Sequence, residues 1–559
     1  MVSDLVQTLL HKRGITETGA VDRFLNPDFA RDTHDPFLLH DMERAVARVF
    51  AAMDANERIA VYADFDCDGI PGASVMSDFF TKIGYANFEI YIPHRDREGY
   101  GFHISAIDTL KARDVSVIIT IDVGTVAHEG LAHAKGLGID VIVTDHHEIH
   151  GDMPAAYALV NPKIKPYPFP DLCGAAVAWK LVCALLIEGK ARELPNLASI
   201  PDGWEKWHLD LVAIATIADL VPLVGENRAL AHFGLTVLRK TPRVGIRALC
   251  ATTRVRQATI AEDDIAFSFA PRINAASRMD EPEIALRLLT TKDEEEAEQC
   301  ATQLESLNRK RRGVVASIVR EARSRLKARH VEGSRVIVLG DTEWKPALMG
   351  LAANSIMEEH GGVVVMWGRD ANGKLKGSAR SDGALSVVEL FTKASDALIE
   401  FGGHHASGGF SVSHEAIHTL LERLNDAAEA LSSEAREVAV PQPDAEIGLR
   451  EISTAFFRDF SRLAPFGIGN PKPLFRVRLT RITFARQFGK DMNHTEVTIV
   501  CPETGIQQRA FQFFKTPMDF TVAPSPGTLV DMLATLERDT FKGPDRLALR
   551  IADILTPRV

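Results

Sequence analysis

Three carboxylates alternate along Asp64-Phe65-Asp66-Cys67-Asp68-Gly69, directly after the apolar run Ile59-Ala60-Val61. In an extended segment alternate side chains share one side, so the three like charges fall together. Such a cluster repels itself and needs compensation, which a divalent cation can supply. A calcium loop of the D-x-D-x-D-G type is excluded. That loop needs a bidentate Glu at its twelfth position, and counting from Asp64 this position is Val75. A plain solvated acidic turn remains open on this stretch alone.

The surrounding residues decide between the two. Apolar strands are expected at 59–61, 88–92, 115–121 and 141–143, with helices between them, for example over 104–112 and 126–137. Near-continuous apolar strands alternating with helices indicate a parallel sheet covered on both faces. In such sheets ligands bind beyond the carboxyl ends of the strands. One strand runs into Asp64, Asp66 and Asp68. The next, Val117–Ile121, runs into Asp122-Val123-Gly124, and Val141–Thr144 runs into Asp145-His146-His147-Glu148. Three strands of one sheet thus deliver carboxylates and imidazoles to one edge, which solvated turns do not explain. A fourth acid, Asp219, lies inside the apolar, helix-like run 209–220, where a carboxylate has to be paired or metal-bound. Asp210 is read as the N-terminal cap of that helix, and Glu226-Asn227-Arg228 as holding the loop after it.

These stretches resemble the four motifs of the DHH phosphoesterase family: Asp64–Gly69, Asp122–Gly124, Asp145–His147, and Ala218–Leu223 with Gly225–Asn227. Within it the chain is most similar to the RecJ-like single-stranded-DNA exonucleases. Ile92–Arg95 with Glu98–Gly101, and Pro271–Arg278, are similar to segments of that family that contact substrate. Gly377–Ser381 and Gly402–Gly409 resemble its DHH-associated domain, and Pro465–Pro471 the start of its OB-fold. Three departures stand out. Ser277 replaces a usual glycine, Trp344-Lys345-Pro346-Ala347 a usual Trp-His-x-Gly, and Gly408-Gly409 an Ala-Gly pair. All lie outside the expected metal ligands and bear on the grip of substrate.

The back half fits this outline. After Pro282 a long helical stretch carries Asp293 and Glu296 in a capping-box pattern and the basic run Arg309-Lys310-Arg311-Arg312. That run is either a solvated face or a contact for a phosphate backbone. A smaller α/β segment starts at Arg335–Gly340, and its glycine-rich loop at 402–409 suits a phosphate or terminal nucleotide. Beyond the linker Pro441-Gln442-Pro443, short β-branched strands are spaced for a small barrel. From Lys472 to Val559 thirteen Lys/Arg stand against nine Asp/Glu, and Phe513, Phe514 and Phe541 are candidates for base stacking or for core.

The expected architecture is α/β: a parallel-sheet DHH domain joined by a long helix to a smaller α/β DHH-associated domain, followed by a β-barrel OB-fold. The expected segments are a helical 1–50, a catalytic 51–285, a connecting helix 286–330, the associated domain 331–435 and the OB-fold 440–559. At 559 residues the chain has room for about three to five domains. The six cysteines are scattered with no C-x-x-C, which fits a reducing cytoplasm. No apolar run is long enough to span a bilayer, so no membrane is expected. A net charge of −11 argues weakly against nucleic acid, but a carboxylate-rich metal site adds negative charge where a cation cancels it.

The resemblance implies a metal-dependent 5′→3′ exonuclease that degrades single-stranded DNA to 5′-mononucleotides in repair and recombination. It implies two ions, Mn²⁺ or Mg²⁺, on Asp64, Asp66, Asp68, Asp122, His146 and Asp219. Asp122 would bridge the ions, and Asp64 is the ligand with the alternative of standing behind the others. His147 would face the scissile phosphate and Asp145 would orient a histidine. Arg95, Arg272, Asn274, Arg278, Ser378, Arg380, His404 and His405 would hold the substrate. A monomer is expected, with single-strand-binding protein or a helicase as partner proteins. Two alternatives stand beside this: a DHH phosphodiesterase for short oligonucleotides or cyclic dinucleotides, and an inactive nucleic-acid-binding scaffold.

Overall fold

The computed structural model describes residues 3–149, 151–279, 281–329, 335–431, 442–489, 492–539 and 546–558. Phe541, Pro441 and the expected lobe boundary at 330–331 lie outside them. The described chain divides into two compact units: Met1–Thr33, Pro222–His232 and Val440–Val559 in one, His34–Val221 and Phe233–Ala439 in the other.

The larger unit opens with a parallel sheet of β1 (Arg58–Ala63), β2 (Phe88–Tyr91), β3 (Val115–Ile121), β4 (Asp140–Thr144) and β5 (Ala158–Val160), in the order β2-β1-β3-β4-β5. The apolar runs became strands as expected, and β5 is an addition. Register is set so that the strands end together. Ala63 pairs with Ile121, Ile121 with Thr144 and Thr144 with Val160. Both faces are covered, as a sheet of near-continuous apolar strands demands. Ala60, Tyr62, Ile118, Val141 and Val143 form a core with residues of α1 (Ile104–Lys111) and α2 (His128–Gly136). Against the sheet lie α3 (Gly69–Ile83) and α4 (Gly174–Ala191). These approach closely: a Cβ on Gly72 would sit 2.6 Å from Ile121 Cγ2 and 3.1 Å from Ala175 Cα.

The helix α5 (Leu209–Ala218) carries the correction to Asp210. Residues 204–208 already form a helical turn, so His208 takes the cap position and Asp210 falls inside the first turn. Its buried carboxylate instead accepts from Thr241 Oγ1 at 2.8 Å and Arg243 Nε at 3.3 Å.

The long connecting helix α6 (Glu294–Arg329) starts later than the sequence pattern suggests. Thr291 is extended, and Asp293 Oδ1 accepts from the Glu296 amide at 2.8 Å, so 283–290 forms a separate short helix. The helix runs unbroken past Gly313. Its second half gives Ile318, Ala322 and Leu326 to a core shared with α7 (Pro346–His360) and a second sheet. That sheet has the order β6-β7-β8-β10-β9 (Val336–Gly340, Val363–Arg369, Leu375–Ser381, Ser407–Val412, Glu400–Gly403).

In the smaller unit five strands close a barrel: Phe475–Phe488, His494–Val500, Gln507–Gln512, Leu547–Leu555 and Leu529–Arg538, with the last pairing back on the first. Ala445–Ile447 adds a parallel edge. Val6, Leu9, Leu10 and Phe24 from the N-terminal helices complete the barrel's core. Among the described residues no helix is long and apolar enough to cross a membrane.

The close approach at Gly72 makes a test. Gly72→Val forces a branched side chain into the gap between α3 and the sheet. It is expected to cost about 1–3 kcal/mol of stability, read as a lower urea midpoint with an unchanged slope.

Candidate metal centre

The sheet hands its strand ends to the site through three backbone hydrogen bonds. Asp64 N–H donates to Ile121 O at 3.1 Å, Asp122 N–H to Thr144 O at 3.0 Å, and Asp145 N–H to Val160 O at 3.2 Å. The ladder therefore continues one residue past the strands, and the three acids stand in one row. Asp122 adopts φ +61, a left-handed conformation that a non-glycine residue holds only where its surroundings impose it. The start of α4 leaves room for it, because a Cβ on Gly174 would lie 2.6 Å from Asp122 Cβ.

Each carboxylate has a distinct role in the geometry. Asp68 is buried and clamped by the first amides of α4: Gly174 N–H donates to Oδ2 at 2.6 Å and Ala175 N–H to Oδ1 at 2.7 Å. A helix N-terminus is where an anion is best tolerated. Asp66 Oδ1 accepts from the Asp68 amide at 2.8 Å and bends the acidic loop on itself. Asp145 Oδ1 accepts from His147 Nδ1 at 2.7 Å and from the His146 amide at 2.7 Å, and Oδ2 accepts from Thr125 N–H at 2.8 Å. Asp219 ends α5, with Oδ2 3.7 Å from His146 Nε2.

His146 sits among the acids. Its Nε2 is 3.1 Å from Asp122 Oδ1 and 3.7 Å from Asp68 Oδ2. Potential ligand atoms gather in three overlapping sets: Asp64-Asp66-Asp122, Asp68-His146-Asp219 and Asp122-Asp145-His146-His147, each within 4.8 Å. Asp64 Oδ1 and Asp122 Oδ1 are buried with no hydrogen-bond donor. Buried acceptors without donors are costly, and a cation satisfies both at once. Carboxylate oxygens with an imidazole suit Mg²⁺ or Mn²⁺.

The electrostatics carry the same signature. Burial, then the neighbouring Asp66, pushes Asp64 well above the usual carboxylate range. Burial followed by Asp68 and Asp66 does the same to Asp122 and Asp219. Asp68 is pushed up to about 7 by burial and Asp66, against the pull of the α4 amides. His146 is driven down to about 4 by burial and the charge of His147, which leaves it neutral and able to ligate. His147 goes the other way. Burial opposes its charge, but the hydrogen bond and charge of Asp145, together with the charges of Asp219 and Asp68, raise the ring to about 9. Burial likewise opposes charge on Asp145, yet His147 holds that carboxyl well below its ordinary value. The pair is therefore an ion pair beside a neutral His146.

Above the acids a cavity of about 310 Å³ is lined by Asp64, Phe65, Asp66, Arg95, Tyr100, Asp122, His147, Asp219 and Arg278. The Arg95 guanidinium lies 4.6 Å over the Phe65 ring. Arg278 donates to Ala347 O at 2.5 Å, which ties it to α7, and its buried Nε has no partner. Burial and the like charges of Arg95 and Arg311 lower its pKa. Arg311, from the basic run on α6, also has a buried, unpartnered Nε, while Arg309, Lys310 and Arg312 are exposed.

Other expected substrate residues lie differently. Arg272 is spent on Glu305 at 2.8 Å and Ser268 O at 2.8 Å. Asn274 Oδ1 accepts from the Cys67 amide at 2.8 Å and so braces the acidic loop. Ser378 and Arg380 share the half-buried face of β8, and Arg380 packs against Gly350, where a Cβ would be 2.6 Å from its Nη2. His404 and His405 are exposed on the turn between β9 and β10.

Sequence reasoning passed over Tyr100 and Gly174 as site residues. Tyr100 Oη is 3.3 Å from Asp122 O and 3.4 Å from the His147 ring nitrogens. It belonged to a quoted motif, so its signal was available. The Leu172-Cys173-Gly174-Ala175 helix start carries no chemistry of its own and gave none.

Comparison with known proteins follows the same outline. Residues 58–216 match the DHH family, N-terminal domain; 333–430 match the DHHA1 domain; and 443–553 match the RecJ OB domain. The single-stranded-DNA-specific exonuclease RecJ of Bacillus subtilis (strain 168) is 35% identical over 502 residues, 89% of this chain and 62% of that protein's length. The chain thus spans less than two thirds of this relative. RecJ of Salmonella typhimurium is 31% identical over 541 residues, 92% of this chain and 90% of its own. The crystal structure of Thermus thermophilus RecJ in complex with Mn²⁺ superposes at TM-score 0.79 and 27% identity, covering 100% of this chain and 76% of that one. The complex of the same protein with Mg²⁺ gives 0.73.

The raised acids link stability to pH. A carboxyl whose folded pKa exceeds its unfolded value favours the fold below the unfolded pKa and loses that contribution as pH rises through the folded pKa. With Asp68 at about 7, the metal-free protein is expected to melt at a lower temperature at pH 8 than at pH 5.5, by on the order of several degrees. Added Mn²⁺ should raise the melting temperature more at pH 8, where no protons compete for the ligands. Calorimetry at both pH values, with and without the ion, checks both signs.

Proposed function

The chain belongs to the RecJ family of single-stranded-DNA-specific exonucleases, and from that membership we propose that it is a metal-dependent 5′→3′ exonuclease, releasing 5′-mononucleotides from single-stranded DNA. The observation that carries the reading is the row of acids at one sheet edge, with buried Asp64 and Asp122 oxygens that no donor satisfies. An inactive scaffold has no use for six such ligands.

Asp64, Asp66, Asp68, Asp122, His146 and Asp219 would hold two divalent ions, Mn²⁺ or Mg²⁺, with Asp122 common to two of the ligand sets. When bound, such ions lower the pKa of water and offset the charge of a phosphate. The protein's own groups do the rest. Cationic His147 faces the cavity and stabilises charge growing on the scissile phosphate, while Asp145 fixes its tautomer and orientation. Arg95 and Arg278 line the same cavity and contribute further positive charge. Ser378, Arg380, His404 and His405 receive the 5′ end from the associated domain, and Arg272 and Asn274 act by holding neighbouring segments in place. The division into helical, catalytic, connecting, associated and OB segments serves this work, the barrel providing a mildly basic surface with Phe514 exposed. Its setting is the cytoplasm, which suits cysteines that are all free among the described residues. It acts there as a monomer in repair and recombination, alongside single-strand-binding protein or a helicase.

End-labelled single strands test the polarity. With Mn²⁺, a 5′ label is expected to appear in mononucleotide at the earliest times while a 3′ label stays in long products; early release of the 3′ label contradicts the reading. Asp122→Ala should cut turnover by about 10³-fold or more while DNA binding stays within a few-fold. Asp145→Asn should lower activity by about 10–100-fold and shift the His147 titration downward, which NMR of the imidazole reads directly.

A further inference from the structure

A second cavity, of about 690 Å³, lies in the same unit and is lined in part by Lys82, Trp204, Trp207, His208, Arg243 and Lys292. Two helices connect it to the metal centre. α3 begins beside Asp68 and ends at the cavity, while α5 begins at the cavity and ends at Asp219. At about 1.5 Å per residue, α3 alone separates the two by roughly 20 Å.

The floor is electrically closed. Arg243 pairs with Asp78 at 2.9 Å and with Asp210 at 3.3 Å, and Thr241 adds a hydrogen bond to Asp210 at 2.8 Å. The mouth is not. Lys82 and Lys292 are exposed and neither makes an ion pair among the described residues. Trp207 is 47% exposed, with Lys240 5.7 Å over its ring. Trp204 lies tilted against His208, ring centroids 4.3 Å apart and planes at 56°. His208 itself is 4% exposed. Its Nε2 lies 3.3 Å from Asp78, and its buried Nδ1 has no partner.

We propose that this cavity binds a nucleoside 5′-monophosphate, the base against Trp207 and the phosphate between Lys82 and Lys292. An exposed indole offers a stacking face that accepts any base. Unpaired lysines at the mouth attract a compact dianion. The volume falls within the range of small-molecule sites. A planar aromatic anion meets all of these demands, and the choice of a nucleotide among such anions rests on the proposed activity, whose product it is. The site is thereby placed to sense product at the far ends of the two helices that carry Asp68 and Asp219.

Equilibrium dialysis of the full chain with labelled dAMP in EDTA tests this, because neither cleavage nor metal contributes there and the outcome is independent of the nuclease reading. Wild type should bind saturably. Trp207→Leu should weaken binding by about tenfold, the scale of one lost stack. Lys82→Glu with Lys292→Glu should weaken dAMP by about tenfold yet leave deoxyadenosine unchanged. Arg95→Ala, in the metal-centre cavity, should have no effect. The Trp207, Lys82 and Lys292 side chains are exposed, and an unchanged melting temperature verifies each fold. No saturable binding at millimolar dAMP overturns the proposal, as does equal binding by wild type and both variants, or binding lost only with Arg95→Ala.

Discussion

Everything at the candidate metal centre depends on three backbone hydrogen bonds that prolong a parallel sheet by one residue. They join Asp64 to Ile121, Asp122 to Thr144 and Asp145 to Val160, and so fix three acids in a row where strand ends open to a ligand. Like charges in so small and buried a space repel one another, and the fold spends other interactions to hold them there. The first amides of α4 grip Asp68, the Asp68 amide grips Asp66, and His147 neutralises Asp145. Hydrogen bonds to charged groups are worth about 1.5–3 kcal/mol each, enough to resist the repulsion only in part. The remaining imbalance shows in the raised pKa values of Asp64, Asp68, Asp122 and Asp219.

That imbalance explains the small residues around the site. Gly174 lets Asp122 take its left-handed backbone, and Gly72 lets α3 close on β3 and on the start of α4. Neither glycine supplies a ligand atom. Both set how near the helix amides come to the acids. The division between His146 and His147 has the same origin. One faces the acids in a buried setting and stays neutral, the other has Asp145 as a private partner and carries charge.

What could be read in the sequence, and what could not, follows from the range of each interaction. Apolar runs that end in acids are local, so β1, β3 and β4 and the residues after them were legible, and so were Asp219 in its apolar run and the barrel's short β-branched strands. The Asp68 clamp joins residues more than a hundred positions apart, and the Asn274 brace on the Cys67 amide more than two hundred. No local pattern announces either. Arg272 illustrates the same limit, because its motif placed it near substrate while Glu305, on α6, holds its guanidinium. Asp210 looked like a cap because the helical turn before it leaves no periodic mark. The N-terminal segment read as helical, but nothing in Val6, Leu9 or Phe24 says that their partner is a barrel beginning some 440 residues later.

The central claim is that these acids form one centre for two ions rather than a set of separate acidic turns. Titrating metal-free protein with Mn²⁺ and following electron paramagnetic resonance tests it most directly. Two ions per chain are expected, bound with loss of the free-ion signal and with an exchange-coupled spectrum at the second equivalent, because ions sharing a carboxylate lie within about 4 Å of each other. A single ion per chain, or two ions whose spectra stay independent, would contradict the account.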